Sequence, residues 1–234
     1  MSEEAHPRAD ELDELGTLGL IEVMNAEDRR AVEAVRARLP AIAEAVEGIV
    51  ERLRSGGGLH YFGAGTSGRL AALDAAECPA TFGVSPALVQ AHVEDGEEED
   101  DAHLGATSAW RSGLARGDAA VGISASGRTP VVLAAIEHAK AAGALVVAIT
   151  CAPGSPLGEV ADVSIEVETG PEVIAGSTRL KAGTVQKVVL NMISTAVFTR
   201  LGHTYRGRMV DVRISNDKLR ARAERTVVQL AGVE

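Results

Sequence analysis

Short apolar runs alternate with segments of helical pattern between residues 59 and 168, and this alternation limits the possible fold more than any other feature. The runs are Leu59–Phe62, Ala87–His92, Ala119–Ile123, Leu145–Thr150 and Val163–Val167, and the helical segments between them are Leu70–Ala76, 99–114, Val131–Ala142 and Pro156–Ala161. Because the runs do not alternate apolar with polar residues, both faces of each strand should be buried, as in a parallel sheet. We predict a doubly wound α/β fold with five parallel strands in the flavodoxin-like order 2-1-3-4-5 and helices on both faces.

Helical patterns flank this region on both sides. Residues 1–56 form a predicted helical extension, in which Asn25 is a candidate N-cap for Ala26–Leu39 and Pro40 opens a helix over Ala41–Arg54. Residues 57–234 form the second predicted unit, with one long helix over Ser177–Leu201 that is apolar nearly all round between 188 and 198. A helix of that kind needs burial on every side, so we predict a homodimer with this segment and the N-terminal helices at the interface.

The residues after the long helix carry two further predictions. Met209–Ile214 has a strand-like pattern, and Asn216 is a candidate cap for a final helix that ends at Leu230. Three arginines of that helix predict a solvated face rather than a binding patch.

Composition excludes several classes of function. The chain has 234 residues with a net charge of −10, 3% aromatic residues and no basic tract, so nucleic acid is not an expected partner. Cys78 and Cys151 lack the spacing of metal ligands, and we predict free thiols and no metal site. The acidic N-terminus has no signal-peptide core, and no apolar run approaches the ~20 residues of a membrane span, so we expect a cytoplasmic protein without a membrane partner.

A glycine-rich loop follows the first predicted strand. Gly63-Ala-Gly-Thr-Ser-Gly-Arg69 matches the dinucleotide pattern G-x-G-x-x-G, which is weak evidence when it stands alone. Thr66 and Ser67 add hydroxyl groups, and Glu94 lies 26 residues after Gly68, later than the ~20 residues expected for a ribose ligand. The loop therefore favours a terminal phosphate over a nicotinamide or flavin, and no cofactor is predicted.

A second hydroxyl-rich loop, Ser124-Ala-Ser-Gly-Arg-Thr129, follows the third predicted strand. In the order 2-1-3-4-5 the first and third strands are neighbours, so both loops should open onto one crevice. Glycine, serine and threonine are also ordinary loop formers, but two such loops at adjacent strand ends predict phosphate binding. The candidate phosphate-binding residues are Gly65, Thr66, Ser67, Ser124, Ser126, Gly127 and Thr129.

Longer strings carry a resemblance to a known family. They are Leu73-Asp-Ala-Ala-Glu-Cys-Pro-Ala-Thr-Phe-Gly83, Gly170-Pro-Glu-Val-Ile-Ala-Gly-Ser-Thr-Arg-Leu-Lys-Ala-Gly-Thr184, Leu190-Asn-Met-Ile-Ser-Thr195 and Met209-Val-Asp-Val. With the two loops, they resemble the sugar isomerase (SIS) domain and, more narrowly, N-acetylmuramic acid 6-phosphate etherases and the related glucokinase regulatory protein. The resemblance covers nearly the whole chain and is that of a short form, since the family usually continues into a further small helical domain.

The resemblance implies a carbon–oxygen lyase. Such an enzyme removes D-lactate from C3 of the phosphosugar by β-elimination across C2–C3, followed by addition of water. The family's proton-donor glutamate falls on Glu77, and its second catalytic glutamate falls on Glu99, after a stretch that this chain lacks between Val93 and Glu99.

The residues alone leave both roles open. Apolar neighbours predict for Glu77 the surroundings of a general acid, although a glutamate near a helix end is more often a surface residue. Glu99 belongs to a run with seven acids in eight positions, which is typical of a solvated loop. His103 lies four residues after Glu99. The two residues either form a Glu–His relay or are an exposed pair.

Two more residues are candidate substrate contacts. The resemblance to SIS isomerases implies a ring-opening or proton-shuttling base at Glu172. Lys181, in the first turns of the long helix, either contacts the phosphate or a hydroxyl of the substrate or pairs with an acid such as Glu172.

Three other functions remain open on this scaffold. They are an N-acetylglucosamine 6-phosphate dehydratase, a sugar-phosphate isomerase with Glu172 as its base, and a non-catalytic phosphosugar sensor.

Overall fold

A five-stranded parallel sheet lies at the centre of the computed structural model, which describes residues 4–212, 214 and 217–232. The strands are β1 (Leu59–Ala64), β2 (Val89–Glu94), β3 (Ala119–Ser124), β4 (Leu145–Thr150) and β5 (Val163–Glu166). Their order is β2-β1-β3-β4-β5, and every pairing between them is parallel. The predicted fold class and strand order are confirmed.

Helices precede, separate and follow the strands. The α-helices are α1 (Ala9–Leu12), α2 (Thr17–Ala34), α3 (Leu39–Arg54), α4 (Gly65–Phe82), α5 (Ala102–Arg111), α6 (Pro130–Ala141), α7 (Pro156–Val160), α8 (Lys181–Arg200) and α9 (Asp217–Ala231). Two 3₁₀ helices, Val35–Arg38 and Gly96–Asp100, and a small hairpin of β6 (Thr204–Tyr205) and β7 (Arg208–Met209) complete the described elements. In the described part of the chain, none of the helices combines the length and the apolar character that crossing a membrane requires.

The hydrophobic core lies on both faces of the sheet because successive strand residues point to opposite sides. Tyr61 faces the side covered by α3, α4 and α8, whereas Phe62 faces the side covered by α5, α6 and α7. Strands β1 and β3 are buried along their whole length, which explains why their sequences show no polar alternation. Ile49 and Val50 of α3 belong to the same core, so α3 packs directly on the sheet although it precedes β1 in the chain.

Three local predictions differ from the structure or fall outside it. Asn25 does not cap a helix, because α2 begins at Thr17 and continues through residue 25, where the Asn25 side chain accepts a hydrogen bond from Arg29 at 2.9 Å. The strand predicted over Met209–Ile214 is wrong in extent: of its described residues, 209–212 and 214, Met209 alone pairs, with Arg208 in the hairpin with Thr204–Tyr205, and residue 213 lies outside the described residues. Asn216 lies outside the described residues, and the helix after it begins at Asp217.

Candidate active site

The two hydroxyl-rich loops lie at adjacent strand ends, as predicted. Helix α4 begins at Gly65, immediately after β1, and α6 begins at Pro130, a short loop after β3. Strands β1 and β3 pair directly, with Gly63 opposite Ile123, and paired strands lie about 4.8 Å apart. Both helix N-termini therefore open onto the same crevice at the carboxyl edge of the sheet, where unpaired backbone N–H groups favour an anion.

The loop after β3 gathers three hydroxyl groups at the N-terminus of α6. Ser124 Oγ lies 2.8 Å from Thr129 Oγ1 and 3.4 Å from Ser126 Oγ, and it accepts a hydrogen bond from the Gly127 backbone N–H at 3.0 Å. Gly127 has a φ of +64°, and a Cβ atom on it would lie 2.4 Å from Ser155 Oγ, so no larger residue fits this turn. The arrangement suits a phosphate group with several acceptor oxygens.

Replacing Ser126 by alanine should weaken the binding of a hexose 6-phosphate by about 1–3 kcal/mol, because a hydrogen bond to a charged group is lost. Isothermal titration calorimetry measures the dissociation constant, and Ser85→Ala, an exposed serine before β2, is the matched control. Equal affinities in the two variants would place the phosphate elsewhere.

Glu99 lies against the first phosphate loop. Gly65 has a φ of +53°, and a Cβ atom on it would lie 2.9 Å from Glu99 Oε1. Glu99 is half-buried, whereas the other acids between residues 97 and 101 are exposed. The 3₁₀ helix Gly96–Asp100 thus brings this one carboxylate from the acidic run to the N-terminus of α4. His103 is exposed on the separate helix α5, so Glu99 and His103 do not share a helix face.

Thr66 and Ser67 face α8. Thr66 Cγ2 would lie 3.5 Å from a Cβ atom on Gly183, and Ser67 Oγ donates a hydrogen bond to Gln186 Oε1 at 3.0 Å. The first phosphate loop is therefore joined to the beginning of α8. Gln186 was not among the predicted site residues; the sequence gives no signal for it, because Thr184 and Lys187 are polar neighbours in the same helix.

A small cleft lies between the loop after β3 and the segment that leads into α8. Ser126, Thr169, Glu172 and Thr178 contribute polar side chains to its lining. Glu172 is 1% exposed, and its two carboxylate oxygens accept the backbone N–H groups of Lys181 and Ala182 at 3.0 Å each. Glu172 thus caps the N-terminus of α8, where a negative charge is stabilising.

Lys181 forms an ion pair, but with a partner that was not predicted. Its Nζ lies 2.7 Å from Glu27 Oε2, and both side chains are buried. Of the two alternatives for Lys181, the ion pair with an acid is the one that the structure shows, but the acid is Glu27 on α2, whereas Glu172 accepts the backbone N–H of Lys181. Arg30 and His6 also approach Glu27, at 2.6 and 3.6 Å.

Glu77 lies on the outer face of α4. It is 12 residues after Gly65, or about 18 Å along the helix axis, and its side chain is 62% exposed. The predicted apolar surroundings are wrong, since Ala76 and Ala80 are themselves exposed and the buried face of α4 carries Ala71, Asp74, Ala75 and Cys78. The nearest charged partner is Lys187 on α8, whose Nζ lies 3.7 Å from Glu77 Oε2.

Comparisons with known proteins agree with this geometry. The model of the SIS domain matches residues 25–151. An Escherichia coli CFT073 protein in complex with A5P superposes with a TM-score of 0.61 at 22% identity, covering 81% of this chain and 95% of its own. A phosphoheptose isomerase from Neisseria gonorrhoeae gives a TM-score of 0.61 at 21% identity, covering 79% of this chain and 100% of its own. These two similarities show the fold.

Sequence relatives are much closer than the structural neighbours. The N-acetylmuramic acid 6-phosphate etherase of Rubrobacter xylanophilus is 50% identical in an alignment of 240 positions, gaps included, that covers 99% of this chain and 79% of the relative. The etherase of Jannaschia sp. strain CCS1 is 49% identical in an alignment of 232 positions that covers 95% of this chain and 73% of the relative. The chain therefore spans about three quarters of each relative's length. At this identity and coverage, the chain belongs to the N-acetylmuramic acid 6-phosphate etherase family.

Proposed function

We propose that this protein is a carbon–oxygen lyase that cleaves the lactyl ether of N-acetylmuramic acid 6-phosphate. The observation that carries the proposal is the 49–50% identity to etherases over 95–99% of the chain. The hydroxyl cluster at the N-terminus of α6 supports it, because the substrate carries a terminal phosphate.

The reaction needs two proton transfers at the sugar. A base removes the proton on C2, the C2–C3 double bond forms as the C3–O bond breaks, and an acid protonates the departing oxygen of D-lactate. Water then adds across the double bond, with hydroxide at C3 and a proton at C2, which gives N-acetylglucosamine 6-phosphate. Two carboxyl groups can serve as this acid–base pair, and our candidates are Glu77 and Glu99.

In this proposal the phosphate binds in the crevice that both loops share, with Ser124, Ser126 and Thr129 of the loop after β3 as donors. Glu99, held against Gly65, is then the nearest catalytic carboxylate to the phosphate within one chain. Glu172 and Thr178 line the neighbouring cleft and contact the sugar. No cluster of three or more His, Cys, Asp or Glu side chains that could hold a metal ion exists among the described residues.

In this proposal, Glu77 acts on a sugar that is bound by a second subunit. It lies too far along α4 to reach a sugar bound at its own loops, yet it lies close to an apolar surface groove. Lys187, its partner, is one turn before Asn191 on α8, and Asn191 lines a groove of about 710 Å³ between α3 and α8. Ile42, Val46, Met192 and Ala196 supply apolar walls of this groove. We assign the groove to a second copy of the chain, which brings Glu77 of one subunit to the phosphate loops of the other.

A mixing experiment tests the shared site. Glu77→Gln removes the carboxyl group, and Ser126→Asp places a negative charge among the phosphate donors, so each variant alone should be inactive. Co-refolded in equal amounts, they should recover about 25% of wild-type activity, because half of the dimers are mixed and each mixed dimer has one intact site. No recovery would place Glu77 and Ser126 in the same site of one chain, and a monomer in light scattering would contradict the dimer itself.

A further inference from the structure

The side-chain amide of Gln186 uses only part of its hydrogen-bonding capacity. Gln186 is 1% exposed, and its Oε1 accepts the hydrogen bond from Ser67 Oγ. Its Nε2 is buried and has no hydrogen-bond partner. A buried donor without an acceptor destabilises the folded state, so native structures rarely leave one without a reason.

The orientation of the Gln186 amide also determines where Ser67 donates its proton. A serine hydroxyl has one proton to donate and two lone pairs that accept. Because Ser67 gives its proton to Gln186, it has none to give to a phosphate oxygen. Ser67 is nevertheless the third residue of α4, where the unpaired N–H groups of the first turn favour an anion.

Rotation of the Gln186 amide by half a turn resolves both features. The rotation exchanges Oε1 and Nε2 without changing the shape of the side chain. Nε2 then donates to Ser67 Oγ, so the buried donor has its acceptor. The Ser67 proton is released and can be donated to a phosphate oxygen.

We propose that Gln186 is a positioning residue of the first phosphate loop: with its amide in the rotated orientation, Nε2 donates to Ser67 Oγ and thereby directs the Ser67 hydroxyl proton to the phosphate of a bound phosphosugar. This inference rests on the proposed function only for the phosphate group of the ligand. It does not depend on which bond of the sugar is cleaved.

Two substitutions of Gln186 distinguish this role from a structural one. Gln186→Met removes both polar atoms at similar volume, which leaves the Ser67 proton free, so the affinity for N-acetylglucosamine 6-phosphate should stay within about threefold of wild type. Gln186→Glu supplies acceptors only and holds the Ser67 proton, so the affinity should fall about 10- to 100-fold, as in Ser67→Ala. In the Ser67→Ala background the same substitution should have little further effect, which separates loss of the Ser67 proton from repulsion of the phosphate by the added charge. Equal weakening in Gln186→Met and Gln186→Glu, or no weakening in Gln186→Glu, would overturn the proposal.

A second measurement uses the wild-type protein and does not depend on how well the variants fold. The side-chain NH₂ resonances of Gln186 are identified by their absence in Gln186→Met and followed by ¹⁵N NMR as inorganic phosphate or N-acetylglucosamine 6-phosphate is added. We expect them to move, because a phosphate oxygen that accepts the Ser67 proton polarises the hydrogen bond from Nε2 to Ser67 Oγ. The NH₂ group of Gln90, which donates to the Ala87 carbonyl at the start of β2, is the internal control and should not move. An unchanged Gln186 amide at saturating ligand would contradict the contact between Ser67 and the phosphate.

Failure of this inference and failure of the proposed function are separable. Binding that follows the predicted order, in an enzyme that releases no lactate, would keep the role of Gln186 and reject the etherase. Lactate release with no response of Gln186 would keep the etherase and reject the role of Gln186.

Discussion

Glu77→Gln should lower the rate of lactate release by about 10²- to 10⁴-fold, the range that a general acid or base contributes. The affinity for the phosphosugar should stay within a few-fold of wild type, because Glu77 transfers a proton at the sugar and the phosphate is held by other side chains, Ser124, Ser126 and Thr129. Glu77 is 62% exposed, and its nearest charged partner is Lys187. Replacing it by glutamine, with the loss of its charge, therefore does not disturb the core. Initial rates and calorimetric dissociation constants measure the two effects separately.

The matched control for Glu77 is Glu51→Gln, an exposed glutamate on α3, which should have wild-type kinetics. A Glu77→Gln variant that loses binding and turnover equally would show that the residue supports the fold or the interface. A variant with full activity would remove Glu77 from the catalytic pair.

Replacing Glu27 by leucine should lower the free energy of unfolding by about 3–5 kcal/mol, because it leaves a buried ammonium group without its partner. The Lys181 side chain is 3% exposed and lies 2.7 Å from Glu27. The double variant Glu27→Leu, Lys181→Met should recover most of this loss, since it removes both buried charges. Urea unfolding measures the free energy of unfolding of the single and the double variant. Equal values for the two would show that the loss of stability does not come from the broken ion pair.

The same pair gives stability a defined pH dependence. Burial raises the pKa of Glu27, but the hydrogen bond and charge of Lys181, with the charges of Arg30 and His6, more than offset this and hold the pKa below its ordinary value of 4.5. A depressed carboxyl pKa contributes stability that is complete above the unfolded pKa and is lost as the pH falls through the folded one. Below pH 4.5, the free energy of unfolding of wild type should therefore fall relative to that of the double variant. A difference that stays constant from pH 7 to pH 3 would contradict this assignment.

The sheet could be predicted from the sequence because its strands are buried on both faces and separated by helices. Five such strands fit the flavodoxin-like order 2-1-3-4-5, and that order brings the Gly65 and Ser124 loops together. The course of α2 could not be predicted in the same way, because Asn25 is as compatible with a helix surface as with a cap, and its bond to Arg29 depends on the folded helix.

The site was predictable where its residues lie in one short segment. The Ser124–Thr129 hydroxyl cluster is local in sequence, and the structure brings its members together. Contacts between distant segments gave no signal: Glu27 and Lys181 are 154 positions apart, and Ser67 and Gln186 are 119 apart. The exposure of Glu77 was missed because its apolar neighbours were counted along the chain rather than around the helix, where Ala76 and Ala80 face outward with it.

Proton NMR in D₂O, with N-acetylmuramic acid 6-phosphate as the substrate, tests the central claim most directly. The account predicts free D-lactate and N-acetylglucosamine 6-phosphate that carries deuterium at C2, since elimination removes the C2 proton and solvent returns one. Lactate without deuterium at C2 would contradict elimination across C2–C3. No lactate at all, with the C3 hydroxyl lost instead from N-acetylglucosamine 6-phosphate, would replace the etherase by a dehydratase.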